Sequence, residues 1–240
     1  PVADFYDSIE EKDFELVVQS GEIVTFADPA FEAKLREMLG RPEGGIYASE
    51  CAAITELYIS NAADTPDSEK IHDLSDLQYF PNLERLDIGG NAVSDLTPLS
   101  SLPKLYYLEA PMNDISDLSS LANMTQLTWA VFWENDISDL TPVANLINLE
   151  TFSVFSNNVT DVSPLAGLTK LTILEVYNNP IEDMSPVEGI LAAIEALNAG
   201  GGGQAEGEDG ALTFADAAFE RKLRRQMDKA EGDIYASDCA

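Results

Sequence analysis

The sequence predicts an α/β solenoid. Its right-handed coils would place parallel strands on the inner side and short helical turns on the outer side, with a helical cap at the N-terminal end. Three observations predict this. Asn91, Asn113, Asn135, Asn157 and Asn179 recur at a constant step of 22 residues. Each is preceded by apolar residues three and five positions earlier, as Leu86 and Ile88 precede Asn91. A second ladder, Asp95, Asp117, Asp139, Asp161 and Asp183, keeps the same step, and each Asp is followed by an apolar residue and then Thr-Pro, Ser-Ser or Ser-Pro. A fixed period of this length is the mark of stacked units, none of which can bury its own apolar side alone.

The elements follow from that frame. In one unit the apolar positions are Leu83, Leu86, Ile88, Val93, Leu96, Leu99 and Leu102, and in the next Leu105, Leu108, Ala110, Ile115, Leu118, Leu121 and Met124. The asparagine column is expected to point inward and to spend its amides on backbone groups of neighbouring coils. The Asp ladder is read as turn and cap residues on the convex side, where Pro98, Pro142, Pro164 and Pro186 suit the start of a short helical turn. Calcium is not expected there, because the dense alternating Asp pattern of calcium loops is missing.

Ahead of the repeats, Asp28 would cap a helix beginning at Pro29 and Ala30, with Phe31, Leu35, Met38 and Leu39 at helical spacing to cover the end of the solenoid. Ile54, Leu57 and Ile59 read as the first strand, followed by an inserted acidic loop from Ala62 to Glu69. Residues 186–197 read as a closing helix with Val187, Ile190, Leu191 and Ile194 on one face. A Gly/Glu-rich linker comes next, and then Thr213 to Ala240 repeats Thr25 to Ala52 without a gap. The organisation is therefore an N-terminal segment 1–23, a helical cap 24–53, the solenoid 54–185, a capping helix 186–199, a linker 200–211 and a second cap copy 212–240. That copy would open a second repeat domain, and its stripe of Phe219, Leu223 and Met227 offers a route to self-association. The chain opens on Pro1 with no Met and no signal-like stretch, and so reads as a mature or trimmed segment.

Composition narrows the partners. Forty-three acidic residues against 13 basic ones leave a formal net charge of −30, which repels nucleic acid and anionic lipid surfaces. No apolar run reaches a membrane span, so membrane insertion is not expected. Cys51 and Cys239 occupy matching places in the two cap copies, where a small buried residue is expected, and they form no metal-ligand spacing.

The runs from Ile115 to Leu121 and from Ile137 to Val143, Ile-Ser-Asp-Leu followed by Ser or Thr, resemble the 22-residue repeats of the internalins and related bacterial leucine-rich-repeat surface proteins. The resemblance covers roughly residues 24 to 199. It implies parallel inner strands, short outer helices, a secreted or cell-surface location and a recognition role, without naming the ligand.

Nothing in the sequence points to catalysis. The single histidine, His72, lies beside Asp73 at the edge of the insertion with no nucleophile motif near it, and no metal or cofactor motif occurs. Strand alternation instead directs attention to the inner face. Its first column reads Glu56, Arg85, Tyr107, Trp129, Thr151 and Ile173, its second Tyr58, Asp87, Glu109, Val131, Ser153 and Glu175, and its third Ser60, Gly89, Pro111, Trp133, Phe155 and Tyr177. Both tryptophans are thereby assigned to solvent. Tyr107, Trp129, Val131, Trp133, Phe155 and Tyr177, with Ile173, form the expected apolar patch, rimmed by Arg85, Asp87, Glu109, Glu134 and Glu175. An apolar patch in a charged rim suits a protein partner, such as a host surface protein, with a glycan stacked on the rings as the alternative and a plain structural spacer as the third reading.

Overall fold

In the computed structural model, residues 21–200 are described, together with a strand pair at 211–212 and 234–235. The expectations for the first twenty residues, for most of the linker and for most of the second cap copy lie outside the described residues.

Six three-residue strands build one parallel sheet in sequence order: β1 (Glu56–Tyr58), β2 (Arg85–Asp87), β3 (Tyr107–Glu109), β4 (Trp129–Val131), β5 (Thr151–Ser153) and β6 (Ile173–Glu175). Parallel neighbours require a crossover, and each coil supplies one through a short 3-10 turn on the convex side, such as Thr97–Ser101 and Ser163–Gly167. Between the two sides runs the predicted column of fully buried Leu, Ile, Val and Phe, including Leu86, Leu108, Phe132 and Phe152. The core continues through every coil, so each coil is stable chiefly through its neighbours.

The asparagine ladder behaves as its spacing predicts. Asn113 Nδ2 donates to the carbonyls of Ile88, Ala110 and Pro111, and its Oδ1 accepts from Val93 N at 3.0 Å. Asn91, Asn135 and Asn157 repeat the arrangement one coil apart. One buried amide thus satisfies backbone groups that the narrow strands leave unpaired. On the convex side, Asp95, Asp117, Asp139, Asp161 and Asp183 each accept the amide two residues on, at 2.7 to 2.9 Å, and so fix the start of the 3-10 turn.

Directly before each ladder asparagine stands a residue in the left-handed region: Gly90 at φ 70°, then Met112, Glu134, Ser156 and Asn178 at φ 52° to 55°. For the non-glycine members this costs about 1 to 2 kcal/mol each, offset by the buried hydrogen bonds of the asparagine that follows. Gly90 has a second constraint, since a Cβ there would lie 2.2 Å from the Asn61 carbonyl oxygen.

The N-terminal end is closed by α1 (Pro29–Leu39) and α2 (Ala48–Ala53). Asp28 caps α1, accepting from Ala30 N and Phe31 N, and its other oxygen accepts from His72 N and Asp73 N in the first repeat. Asp76, buried in the 3-10 turn Ser75–Tyr79, returns the link by accepting from Ala27 N and Asp28 N. Two carboxylates thus tie α1 to the solenoid. Phe31 and Leu35 are buried as expected, but Met38 and Leu39 are not: they are 38% and 37% exposed in the last turn of α1, just before the left-handed Gly40 that ends it. Cys51 is fully buried, and burial pushes its thiol up to about 11. His72 is exposed at the surface.

At the other end, α3 (Glu188–Gly200) follows the 3-10 turn Ser185–Val187. Val187 of the turn and Ile190 of α3 are buried, and Leu191 and Ile194 rest half-buried on the core. Beyond it, β7 (Ala211–Leu212) pairs antiparallel with β8 (Ile234–Tyr235). Ala211 opposite Tyr235 reproduces, 188 residues on, the bridge of Ile23 with Tyr47 in the cap.

Candidate functional site

The pairing register settles which side chains share a row. Glu56, Arg85, Tyr107, Trp129, Thr151 and Ile173 are successive partners across the sheet, as are Tyr58, Asp87, Glu109, Val131, Ser153 and Glu175. The third row continues through backbone bonds from Met112 N to Trp133 O, Glu134 N to Phe155 O and Ser156 N to Tyr177 O. All three concave columns expected from alternation are therefore present.

Adjacent parallel strands lie about 4.8 Å apart, close to the offset-stacking distance of aromatic rings, so aromatics at equivalent positions of neighbouring coils meet face to face. Two ladders result. In the first column the Arg85 guanidinium lies 3.9 Å from the Tyr107 ring centre, and Tyr107 stacks on Trp129 at 5.2 Å and 16°. In the third, Trp133 stacks on Phe155 at 5.3 Å and 7°, and Phe155 on Tyr177 at 4.6 Å and 11°. Val131 joins the two: it clusters with Trp133 and Phe155, and Met112 and Trp129 pack against the cluster.

This stacking corrects the exposure expected from alternation alone. Trp133, Val131 and Phe155 face the concave side yet are only 6%, 3% and 8% exposed, because each ring or methyl pair is covered by those of adjoining coils. Asp87, expected on the rim, is buried as well, with Oδ1 accepting from Gly89 N. Trp129, Tyr107 and Ile173 are half-buried, and Tyr177 is exposed at the end of its ladder.

The polar members sit among these ladders. Tyr107 donates its hydroxyl to Glu109 Oε1; burial first and then this carboxylate hold the Tyr107 phenol above its ordinary range. Ser153 donates to Glu175 Oε2 at 2.7 Å. Burial pushes the Glu175 carboxyl above the usual range, with the Ser153 hydroxyl opposing. The Nε1 of Trp129 and the Nε of Arg85 are buried without a hydrogen-bond partner. Ile173 shares the first column without joining a ring stack. Met112, whose left-handed backbone folds it against the rings, escaped the sequence reading of the site, and Ser153, placed in the second column, gave no sign that its hydroxyl anchors Glu175. Nothing in a lone Met or Ser marks such a role.

Comparisons with known proteins agree with this architecture. Residues 147–189 match the family model for leucine-rich repeats in two copies. Among solved structures, an internalin of Listeria monocytogenes (InlF) is similar at 30% identity and a TM-score of 0.62, the match covering 69% of this chain and 47% of that one. A second Listeria monocytogenes internalin matches at 25% identity over 69% of this chain and 90% of its own, with a TM-score of 0.48. A leucine-rich-repeat protein of Leptospira interrogans matches at 18% identity over 78% and 38%, with a TM-score of 0.45. No curated protein matches. Leucine-rich repeats are thus matched directly at residues 147–189, and the coils around them have the leucine-rich-repeat fold. More narrowly, its solenoid is internalin-like, and the chain spans just under half the length of the first internalin it matches.

Proposed function

We propose that this solenoid is a non-catalytic protein-binding module of a secreted or cell-surface bacterial protein, and that it holds its partner on the concave face. The observation that carries this reading is the pair of ring ladders, which gathers both tryptophans of the chain on one side of the sheet, with Tyr177 exposed and Trp129 and Tyr107 half-buried. Aromatic and arginine side chains on a rigid surface are the residues that dominate protein interfaces, since they contribute large contact area while already ordered. The charge of −30 favours partners with basic edges and speeds their encounter.

The ladders also weigh against stacked sugars. Phe155 is covered by Trp133 on one side and Tyr177 on the other, so the faces a sugar ring would use are taken. The secreted or surface location rests on the resemblance to the internalins. Among the described residues, no helix is long and apolar enough to cross a membrane.

The test is an array of purified extracellular domains and an array of glycans, each probed with the wild type, Trp129→Ala and Ile147→Ser, an exposed control outside the three concave columns. Ile147 is 57% exposed, so the control leaves packing intact. Protein binding that is lost in Trp129→Ala and kept in Ile147→Ser supports the reading. Binding only to glycans, or binding that ignores both substitutions, refutes it.

A further inference from the structure

Among the carboxylates of the described residues that lie partly out of water, most have evident compensation. Glu32 pairs with Arg36 at 2.7 Å, Glu50 pairs with Arg41 at 3.0 Å, and Asp28 and Asp76 are each held by backbone amides. Glu175 differs. It stands in the middle column of the last strand, between Ile173 and Tyr177 in sequence and beside Ser153 of the preceding coil, and the Ser153 hydroxyl is its hydrogen-bond donor. No lysine, arginine or histidine among the described residues forms an ion pair with it. The cations of the solenoid are placed elsewhere: Lys104 and Lys170 donate to Asn82 and Asn148, and Arg85 lies on Tyr107 at the opposite end of the sheet.

An ionised carboxylate partly removed from water with a single neutral donor carries a desolvation cost that a cation would relieve. Its surroundings fit such a cation. Tyr177 is 43% exposed beside it, and an aromatic ring attracts an ammonium or guanidinium group through its negative face. The alkyl stem of a lysine or arginine can lie along Ile173 while its charged end reaches the carboxylate. The face already shows this chemistry once, where Arg85 covers Tyr107 within the chain. At the Glu175 end an acid without an ion pair among the described residues stands beside a partly exposed ring.

We infer that Glu175, flanked by Tyr177 and Ile173, receives one lysine or arginine side chain of a polypeptide partner. The inference rests on the concave face being the protein-binding surface. The charge balance supports a basic segment as occupant, because a chain of net charge −30 draws such segments and repels acidic ones.

A library of random peptides displayed on phage, selected on the wild-type protein and rescreened on Glu175→Gln and Trp129→Ala, tests both statements separately. Peptides lost on Trp129→Ala should be enriched in lysine or arginine. They should bind Glu175→Gln about tenfold more weakly, the loss expected for one charge-assisted contact. Replacing the basic residue of a selected peptide by glutamine should cause the same loss on the wild type and little further loss on Glu175→Gln. Peptides that depend on Trp129 but show no basic enrichment, or that bind Glu175→Gln unchanged, overturn this inference and leave the proposed function standing. Failure to recover any Trp129-dependent peptide counts against both.

Discussion

Replacing Trp133 by alanine separates the observed packing from the exposure that strand alternation suggests. The indole is 6% exposed, stacked on Phe155 at 5.3 Å and packed against Val131. A buried Trp removes on the order of 200 Å² from water, which at about 25 cal/mol per Å² gives roughly 5 kcal/mol as an upper bound. A compact unfolded chain lowers this by some 10 to 40%, and partial collapse of Phe155 into the gap lowers it again, so a loss of about 3 kcal/mol is expected. Equilibrium urea unfolding followed by circular dichroism measures it, with Ile147→Ser as the surface control. A loss below about 1 kcal/mol would show that the ring lies outside the packed structure and that the ladder reasoning is wrong.

Further outcomes follow from the same structure. Asn135→Ala strips the bonds to Ala110 O, Phe132 O and Ile115 N, leaving buried backbone groups unpaired, and should cost about 3 kcal/mol in the same urea assay. Because burial raises the Glu175 carboxyl in the folded protein, the native state binds this proton more readily than the unfolded chain does, and the stabilisation that protonation provides is lost as pH rises through the folded value. Glu175→Gln should therefore be more stable than wild type at pH 7, with the difference shrinking as the pH falls to the raised carboxylate range; a gap that widens on acidification would reverse the assignment. Cys51, buried and with its thiol raised to about 11, should resist alkylation at pH 8 in the native protein and react once unfolded, as peptide mass spectrometry would report.

Much of this architecture was legible in the sequence because the asparagine ladder fixes the register absolutely. Once Asn113, Asn135 and Asn157 are aligned, Tyr107 must neighbour Trp129 and Trp133 must neighbour Phe155, and the pairing agrees. Periodicity gives the face on which a side chain stands, but not how far equivalent side chains cover one another. That is why Trp133 and Phe155 were expected in solvent and are found stacked. The left-handed residues were equally hidden: Gly90 advertises a positive φ, but Met112, Glu134 and Ser156 do not, and their backbone is imposed by the coil and its asparagine. Asp76 shows a third limit, since its partners Ala27 and Asp28 lie nearly fifty residues away in the chain and no local pattern announces the contact.

The central claim, that the concave ring ladders form the binding face, has a built-in reporter, because Trp129 and Trp133 are the only tryptophans of the chain and both stand on that face. The most direct measurement is the pair of indole N–H resonances in a 15N-labelled sample, recorded while a protein or peptide partner selected on the wild type is added. The account predicts that both indole signals shift or broaden in proportion to the bound fraction, with backbone amides on the convex Asp ladder unmoved. Saturating binding that leaves both indoles unchanged while perturbing the convex amides would contradict it.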